Sequence, residues 1–293
     1  MFTSPTKEHA ATNAQMPDAV VARWQDGDLQ RTFRFLKESS RFRLRPSDVF
    51  VVSYPRSGTT LTLWMLHLLL GTRPASTQEP PPFAHLNVAC PWWERDLARG
   101  IHTAASLDEV PSPRVFKSHL LPCWLPQGAK VVWVRRGFSE VFDSYLRLYR
   151  SHLGFDGSVN TFVEAYANGR LQYGCWADHC DAWLEASARG DEVLPLRFER
   201  LVSRTEDAYV SLARHVGQPL DTNELPALVE LSRASYMKRF ETAFDHATAP
   251  QGRARAKQGE FIMGTRNDKA VDRGLLQHLA GATSKANISQ FLR

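Results

Sequence analysis

DVFVVSYPRSGTT, residues 48–60, is the stretch on which the fold turns. Its first half, Asp48 to Tyr54, is a run of β-branched and aromatic residues without polar alternation, the pattern of a strand buried on both faces of a parallel sheet. Pro55 ends the run. From Thr59 the composition changes to a Leu-rich helix carrying Trp64, Met65 and Leu68, and Gly71 supplies a C-terminal stop. The connecting loop, Tyr54 to Thr60, has the chemistry of an oxyanion cradle. A helix N-terminus presents unpaired N–H groups and a positive dipole end, Gly58 lets the backbone come close, Ser57, Thr59 and Thr60 add hydroxyl donors, and Arg56 adds charge. The plain alternative is a strand–helix turn with hydroxyl N-caps. The nucleotide triphosphatase pattern G-x-x-x-x-G-K-[ST] cannot be written over this loop, because no Lys follows Gly58.

Outward from this unit, residues 1 to about 28 are polar and irregular, and Leu29 to Glu38 has helical spacing before Arg41 to Pro46 breaks it. Residues 72–113 carry Pro74, Pro80, Pro81, Pro82, Pro91, Pro111 and Pro113, which predicts a long connection rather than a folded repeat, of the kind that walls a ligand site. Three further strands are expected at Arg114 to Lys117, Lys130 to Val134 and Val193 to Phe198; Pro195 assigns the last to an edge, a bulge or a strand end. Helices are expected over Ser139 to Tyr149, over Thr161 to Leu184 with a break near Gly169 to Gly174, and over Glu206 to Val216. Alternating strands and helices predict an α/β fold, a central parallel sheet with helices on both faces. The expected organisation is an N-terminal arm or helix over 1–40 and a single domain over 41–293.

Composition narrows the function classes. The 293 residues hold 36 Lys+Arg against 31 Asp+Glu, net +5, with 43% hydrophobic and 23% charged, which excludes disordered and fibrous chains. The longest apolar stretch, Leu61 to Leu70, contains Thr62 and His67 and falls short of the ~20 residues of a bilayer crossing. With no apolar segment near Met1, a cytoplasmic location is the expectation. Cys90, Cys123, Cys175 and Cys180 have no C-x-x-C spacing and read as free thiols. A pI near 9.1 admits nucleic acid, anionic membranes or phosphorylated small molecules as partners. The basic residues concentrate at strand ends rather than in a stripe interleaved with aromatics, which argues for a small molecule and against nucleic acid.

Two further constellations lie at strand ends, where open α/β sheets bind ligands. Lys117-Ser118-His119 follows one strand: His119, mostly neutral at pH 7, suits a general base, and Lys117 suits an anion. Arg136 and, two turns into the following helix, Ser144 are placed to grip a second phosphate. Taken singly, they read first as a structural or surface His and as a solvated Arg with a helix-surface Ser; their coincidence with the oxyanion loop turns the reading toward function. A phosphoryl-transfer enzyme such as a small-molecule kinase would need a Mg²⁺-binding acid at these strand ends, where Lys117 and Arg136 stand instead. Phe83, Trp92, Trp93, Phe142 and Tyr149 are candidate lining for an aromatic or amphipathic acceptor, each equally a candidate core residue.

Over Arg45 to Gly217 these motifs, in this order, resemble the cytosolic-type sulfotransferases. YPRSGTT is similar to that family's YPKSGTT, VFKSHLLPCWLP to its KTHLP...LP segment, and KVVWVRRGFSEVFDSYLRLYR to its VVYVxRNxxDVxVSYxxFY. The resemblance implies a P-loop-like sulfotransferase fold. It also implies transfer of a sulfuryl group from 3′-phosphoadenosine 5′-phosphosulfate (PAPS) to a hydroxyl or amine, leaving adenosine 3′,5′-bisphosphate.

Carried over by position, the resemblance makes Arg56, Ser57, Gly58, Thr59 and Thr60 the 5′-phosphosulfate loop, with Arg56 where the family has Lys and Leu61 where it has an adenine-stacking Trp. Arg never donates its proton, which puts a proton-delivering role at this position in doubt. His119 becomes the base with Lys117 beside it, and Arg136 and Ser144 the 3′-phosphate ligands. Phe198 stands for the Tyr of a Tyr-Glu pair, and Tyr236 for an aromatic against adenine. Arg255, Lys257 and Gly259 are the preferred equivalent of the C-terminal Arg-Lys-Gly, with Arg266 a rival. In-line transfer is expected to run on cationic side chains without a metal.

Overall fold

The computed structural model describes residues 28–245 and 261–262. Helix α1 (Asp28–Ser39) precedes strand β1 (Val49–Ser53) and helix α2 (Thr59–Leu70). The proline-rich connection then holds α3 (Leu86–Ala89), α4 (Trp93–Arg99) and α5 (Ala104–Asp108) before β2 (Val115–Ser118). A 3₁₀ turn at Pro122–Trp124 leads to β3 (Lys130–Arg135), α6 (Phe138–His152), α7 (Val159–Ala167), α8 (Trp176–Ala188) and β4 (Val193–Arg197). The described part ends with α9 (Phe198–Ser203), α10 (Thr205–Val216), α11 (Leu225–Leu231) and α12 (Ala234–Arg239), followed by a 3₁₀ turn at Glu241–Ala243.

All four strands are parallel, in the order β2-β1-β3-β4. The two-residue alternation of a strand sends consecutive side chains to opposite layers. Phe50, Val52, Phe116, Val131 and Trp133 pack toward α4, α6, α7 and α8, whereas Val49, Val51, Val115, Val132 and Val134 pack toward α2, α10, α11 and α12. Helices on both faces therefore follow from strands that put apolar side chains on both of their sides. Pro195 pairs opposite Trp133 on β4, an edge strand of the sheet, where its missing N–H costs no ladder bond on the open side. At the opposite end of β1, Arg114 reaches Asp48 with two nitrogens, both side chains fully buried, and ties the starts of β1 and β2 together.

One expected boundary changes, and two regions gain detail. Residues 72–113 form the expected long connection, and the short helices it holds are fixed by local caps, with His85 Nδ1 accepting from the Asn87 N–H and Thr103 and Ser106 forming a capping box. Such four-to-seven-residue helices lack the repeat that makes longer ones visible. Val193 to Phe198 ends as a strand at Arg197, and Phe198 opens α9 instead. The helix α1 packs into the core: Phe35 meets Trp93 edge to face at 6.2 Å. The break expected between Gly169 and Gly174 falls between α7 and α8. No described helix is long and apolar enough to cross a membrane, and all four cysteines are free thiols.

Candidate active site

The chain passes from β1 outward to β2 and back past β1 to β3, so the sheet order reverses beside β1. A crevice opens outside the carboxyl ends of strands at such a point. A cavity of about 1200 Å³ lies there, lined among others by Arg56, Gly58, Thr59, Thr60, Leu61, Lys117, His119, Arg136 and Ser144. Small-molecule sites run to about 1,000 Å³, so this one is above the usual size for a single small ligand.

At the carboxyl end of β1 the backbone turns sharply, with Arg56 at φ 68° and Gly58, the residue before α2, at φ 104°. A Cβ on Gly58 would collide with the Phe198 ring, so the glycine is required both by conformation and by packing. Ser53 Oγ lies 2.6 Å from Thr59 Oγ1 and braces the loop from within. Ser57 is buried and its Oγ has no hydrogen-bond partner among the described residues. Arg56 Nε donates to Ser144 Oγ at 2.9 Å, Nη2 to the Phe261 carbonyl at 3.2 Å, and its guanidinium lies 4.9 Å from the Phe261 ring centre. Burial, then the charges of Arg136 and Arg147, lower the Arg56 pKa to about 10, which leaves it cationic at neutral pH. Arg136 donates to the Arg56 carbonyl at 3.2 Å and lies 4.4 Å over the Phe198 ring, while its Nε is buried with no hydrogen-bond partner among the described residues.

Residues at the carboxyl end of β2 face this loop. His119 Nδ1 lies 2.7 Å from the Ser53 carbonyl, which only accepts, so Nδ1 carries the proton and Nε2 keeps its lone pair. Burial, then the charge of Lys117, push the His119 pKa well below the usual histidine value. Lys117 is buried, with Nζ 3.5 Å from the centre of the Trp92 ring, and its pKa is lowered by burial and then by Arg95. Glu94, which the sequence reading passed over, accepts the His119 N–H at 2.9 Å and the Trp92 indole N–H at 2.7 Å through one carboxylate oxygen. It reaches His119 because Lys117 N–H donates to the Pro91 carbonyl at 2.9 Å and lays the start of α4 along the edge of β2. Nothing in the local pattern around Trp92-Trp93-Glu94 signals this contact, since it closes over 25 residues.

Of the expected acceptor residues, Trp92 and Tyr149 line the cavity. Phe83, Trp93 and Phe142 do not: Trp93 and Phe142 are fully buried in the layer of α4 and α6, and Phe83 packs on Trp64, His67 and Phe244 in the other layer. Large aromatics without a polar partner are best buried wherever the sheet needs covering, which decides against them here. The wall is made instead by Phe35, Ala98, Leu120, Trp124, Tyr173 and Phe155, residues of five separate segments. Tyr236 is likewise withdrawn from the cavity and stacks on Trp64 at 5.8 Å with its hydroxyl on the Glu79 carbonyl, while its neighbour Met237 lines the wall. Arg255, Lys257, Gly259 and Arg266 lie outside the described residues.

A family model described as the sulfotransferase domain matches residues 46–270, from just before β1 to beyond the described part of the chain. The chain belongs to the sulfotransferase family. This sulfotransferase is 30% identical to human sulfotransferase 4A1 over 205 residues, 67% of this chain and 68% of the relative. Mouse sulfotransferase 2B1 is 26% identical over 250 residues, 83% of this chain and 70% of the relative. Among solved structures, retinol dehydratase in complex with androsterone and the inactive cofactor PAP superposes with a TM-score of 0.68 at 17% identity, covering 86% of each chain. Mouse sulfotransferase SULT7A1 complexed with PAP superposes at 0.57 and 20% identity over 72% of each. At those identities the structures speak for the shared fold: a parallel sheet with its loops gathered at one end.

Proposed function

We propose that this sulfotransferase works in the cytoplasm, moving the sulfuryl group of PAPS to the hydroxyl or amine of a small aromatic or amphipathic acceptor, with His119 as general base. PAPS supplies the sulfuryl group and departs as adenosine 3′,5′-bisphosphate. The residues present fit that donor. Arg136 Nε, on the cavity wall, is a buried polar atom with no hydrogen-bond partner among the described residues, and a phosphorylated ligand meets that need.

The roles follow from position. Arg56, Gly58, Thr59, Thr60 and the first N–H groups of α2 hold the 5′-phosphate side and take up the charge that develops on the leaving oxygen. Ser144 accepts from Arg56 and keeps its own proton to donate, so together with Arg136 it suits the 3′-phosphate. His119, held neutral with Nε2 unprotonated, takes the acceptor proton as the oxygen or nitrogen attacks sulfur in line. Lys117 beside it disfavours the imidazolium and keeps the base ready, and its ammonium contributes positive charge near the transferred group. Phe198, at the start of α9, carries Arg136 on its ring face and closes against Gly58; it has no hydroxyl with which to replace the family's Tyr as a donor. Arg255, Lys257 and Gly259 remain our assignment for the C-terminal phosphate contacts.

The observation that carries the reading is the single tautomer of His119 in the same cavity as a cation-rich helix N-terminus. The test is calorimetry with adenosine 3′,5′-bisphosphate against Mg²⁺-ATP. Micromolar or tighter binding of the bisphosphate, with Mg²⁺-ATP weaker, is expected; preference for Mg²⁺-ATP would transfer the site to phosphoryl chemistry. Binding of random DNA that is weak and lost with salt would agree with a small-molecule enzyme.

A further inference from the structure

The helix α6 sets Ser144, Arg147, Leu148 and Ser151 on one face, at spacings of three, four and seven residues. Three of the four have a definite use. Ser144 accepts from Arg56, Leu148 packs against the core, and Ser151 donates to the Arg147 carbonyl at 2.9 Å. The Arg147 side chain has none: it lines the cavity, its Nε is fully buried, and no hydrogen-bond partner for it is found among the described residues. A buried guanidinium N–H without an acceptor is costly, and is retained where a ligand supplies the acceptor.

Its surroundings identify the ligand's charge. Arg147 is near enough to Arg56 and Arg136 to disfavour the charge of each, so three guanidinium groups converge on one side of the cavity. The acids near enough to favour charge on them are Asp245 for Arg56 and Glu140, Glu199 and Asp143 for Arg136, and the first three also have other partners. Asp245 faces His152 Nε2 at 3.2 Å, Glu140 accepts from Ser139, and Glu199 lies against Arg197 at 3.7 Å. A cluster of like charges at a cavity wall is neutralised by an anion between them, and planar guanidinium groups suit phosphate oxygens.

Resting on the donor reading above, we infer that Arg147 is a third arginine ligand of the cofactor's 3′-phosphate, acting beside Arg136 and Ser144. Ser144 and Arg147 are one turn apart on one helix face, so a phosphate that accepts from the Ser144 hydroxyl lies within the reach of the Arg147 side chain. Arg147 thereby confers selectivity for a bisphosphate over a monophosphate, while Arg56 and the α2 N-terminus serve the 5′ side common to both.

The experiment is calorimetry on the full chain with adenosine 3′,5′-bisphosphate and with 5′-AMP, for the wild type, Arg147→Gln and Arg147→Lys. The wild type is expected to prefer the bisphosphate. Arg147→Gln is expected to lose tenfold or more in bisphosphate affinity with less than a twofold change for 5′-AMP, and Arg147→Lys to recover part of the loss. Equal weakening toward both nucleotides, or no change toward either, would overturn the inference while leaving the donor reading in place; the second result would turn attention to an anionic group on the acceptor. A wild type that binds the two nucleotides alike would overturn the donor reading itself. If the Gln variant does not fold, Arg147→Lys carries the test, through a smaller loss confined to the bisphosphate.

Discussion

The two ends of the cavity are built on opposite plans. In the reading proposed above the cavity has a donor end and an acceptor end, and at the donor end most of the chemistry comes from one short stretch, residues 53–60, whose contacts are hydrogen bonds and cation–π stacking with fixed geometry. The acceptor end draws on α1, the start of α4, the turn at Pro122–Trp124, the end of α6 and the loop around Tyr173, and its contacts are mostly apolar. A phosphate presents the same charge and shape to any protein that binds it, so one loop suffices. An acceptor wall needs only area and shape, which any large side chain in the right place supplies.

Four substitutions or conditions would break or sharpen that contrast. His119→Ala, at the junction of the two ends, should lower kcat by roughly a thousandfold, within the range of general-base catalysis. Calorimetry should show unchanged affinity for adenosine 3′,5′-bisphosphate, and near-normal turnover would remove His119 as the base. Gly58→Ala at the donor end meets both a left-handed backbone and the Phe198 ring. It should weaken bisphosphate binding about tenfold or more, since the left-handed conformation alone costs ~1–2 kcal/mol. Combining it with Phe198→Ala should restore only part of the affinity, because the backbone cost stays.

At the acceptor end, Trp124 is half-exposed on the cavity rim, and its indole is expendable for folding. Trp124→Ala should raise the acceptor KM a few-fold, roughly 1 kcal/mol of aromatic contact, with the bisphosphate Kd unmoved. A rise in both would mean that the two ends are coupled. The smallest effect is in the pH profile. Because burial and Lys117 lower the His119 pKa, the neutral base persists as pH drops through 6.5, and it is lost only when pH falls to the lowered value. The acid limb of kcat/KM should therefore lie below pH 6.5, and a limb at or above 6.5 would mean that His119 is more hydrated than its contacts indicate.

The same contrast explains what could be read from the chain. The β1 strand, the loop and the α2 helix are legible because strand burial, the glycine turn and the apolar helix are all local patterns, and the observed strand Val49–Ser53 and helix Thr59–Leu70 fall inside the expected spans. His119 and Arg136 reach the same cavity because each lies just beyond a strand end, and Ser144 because it lies two turns into the helix that follows Arg136. Trp92 and Tyr149 reached the wall while Phe83, Trp93, Phe142 and Tyr236 did not, and nothing in their neighbouring residues distinguishes the two groups. The difference is which side of a helix or loop the sheet covers. Glu94 and Arg147 were passed over for a related reason: a carboxylate after two tryptophans and an arginine in mid-helix become meaningful only when His119 and Arg136 are placed beside them.

By itself, then, the sequence determined the parallel α/β architecture, the oxyanion loop and the residue types at the strand ends, because these depend on periodicity, backbone freedom and charge within a few residues. The tertiary structure alone decided which histidine nitrogen is protonated, which aromatics line the cavity and which arginines converge on it. Each of those depends on a partner tens of residues away: Ser53 for His119, the sheet face for the aromatics, Arg56 for Arg136 and Arg147. Only the closing of the chain sets those distances.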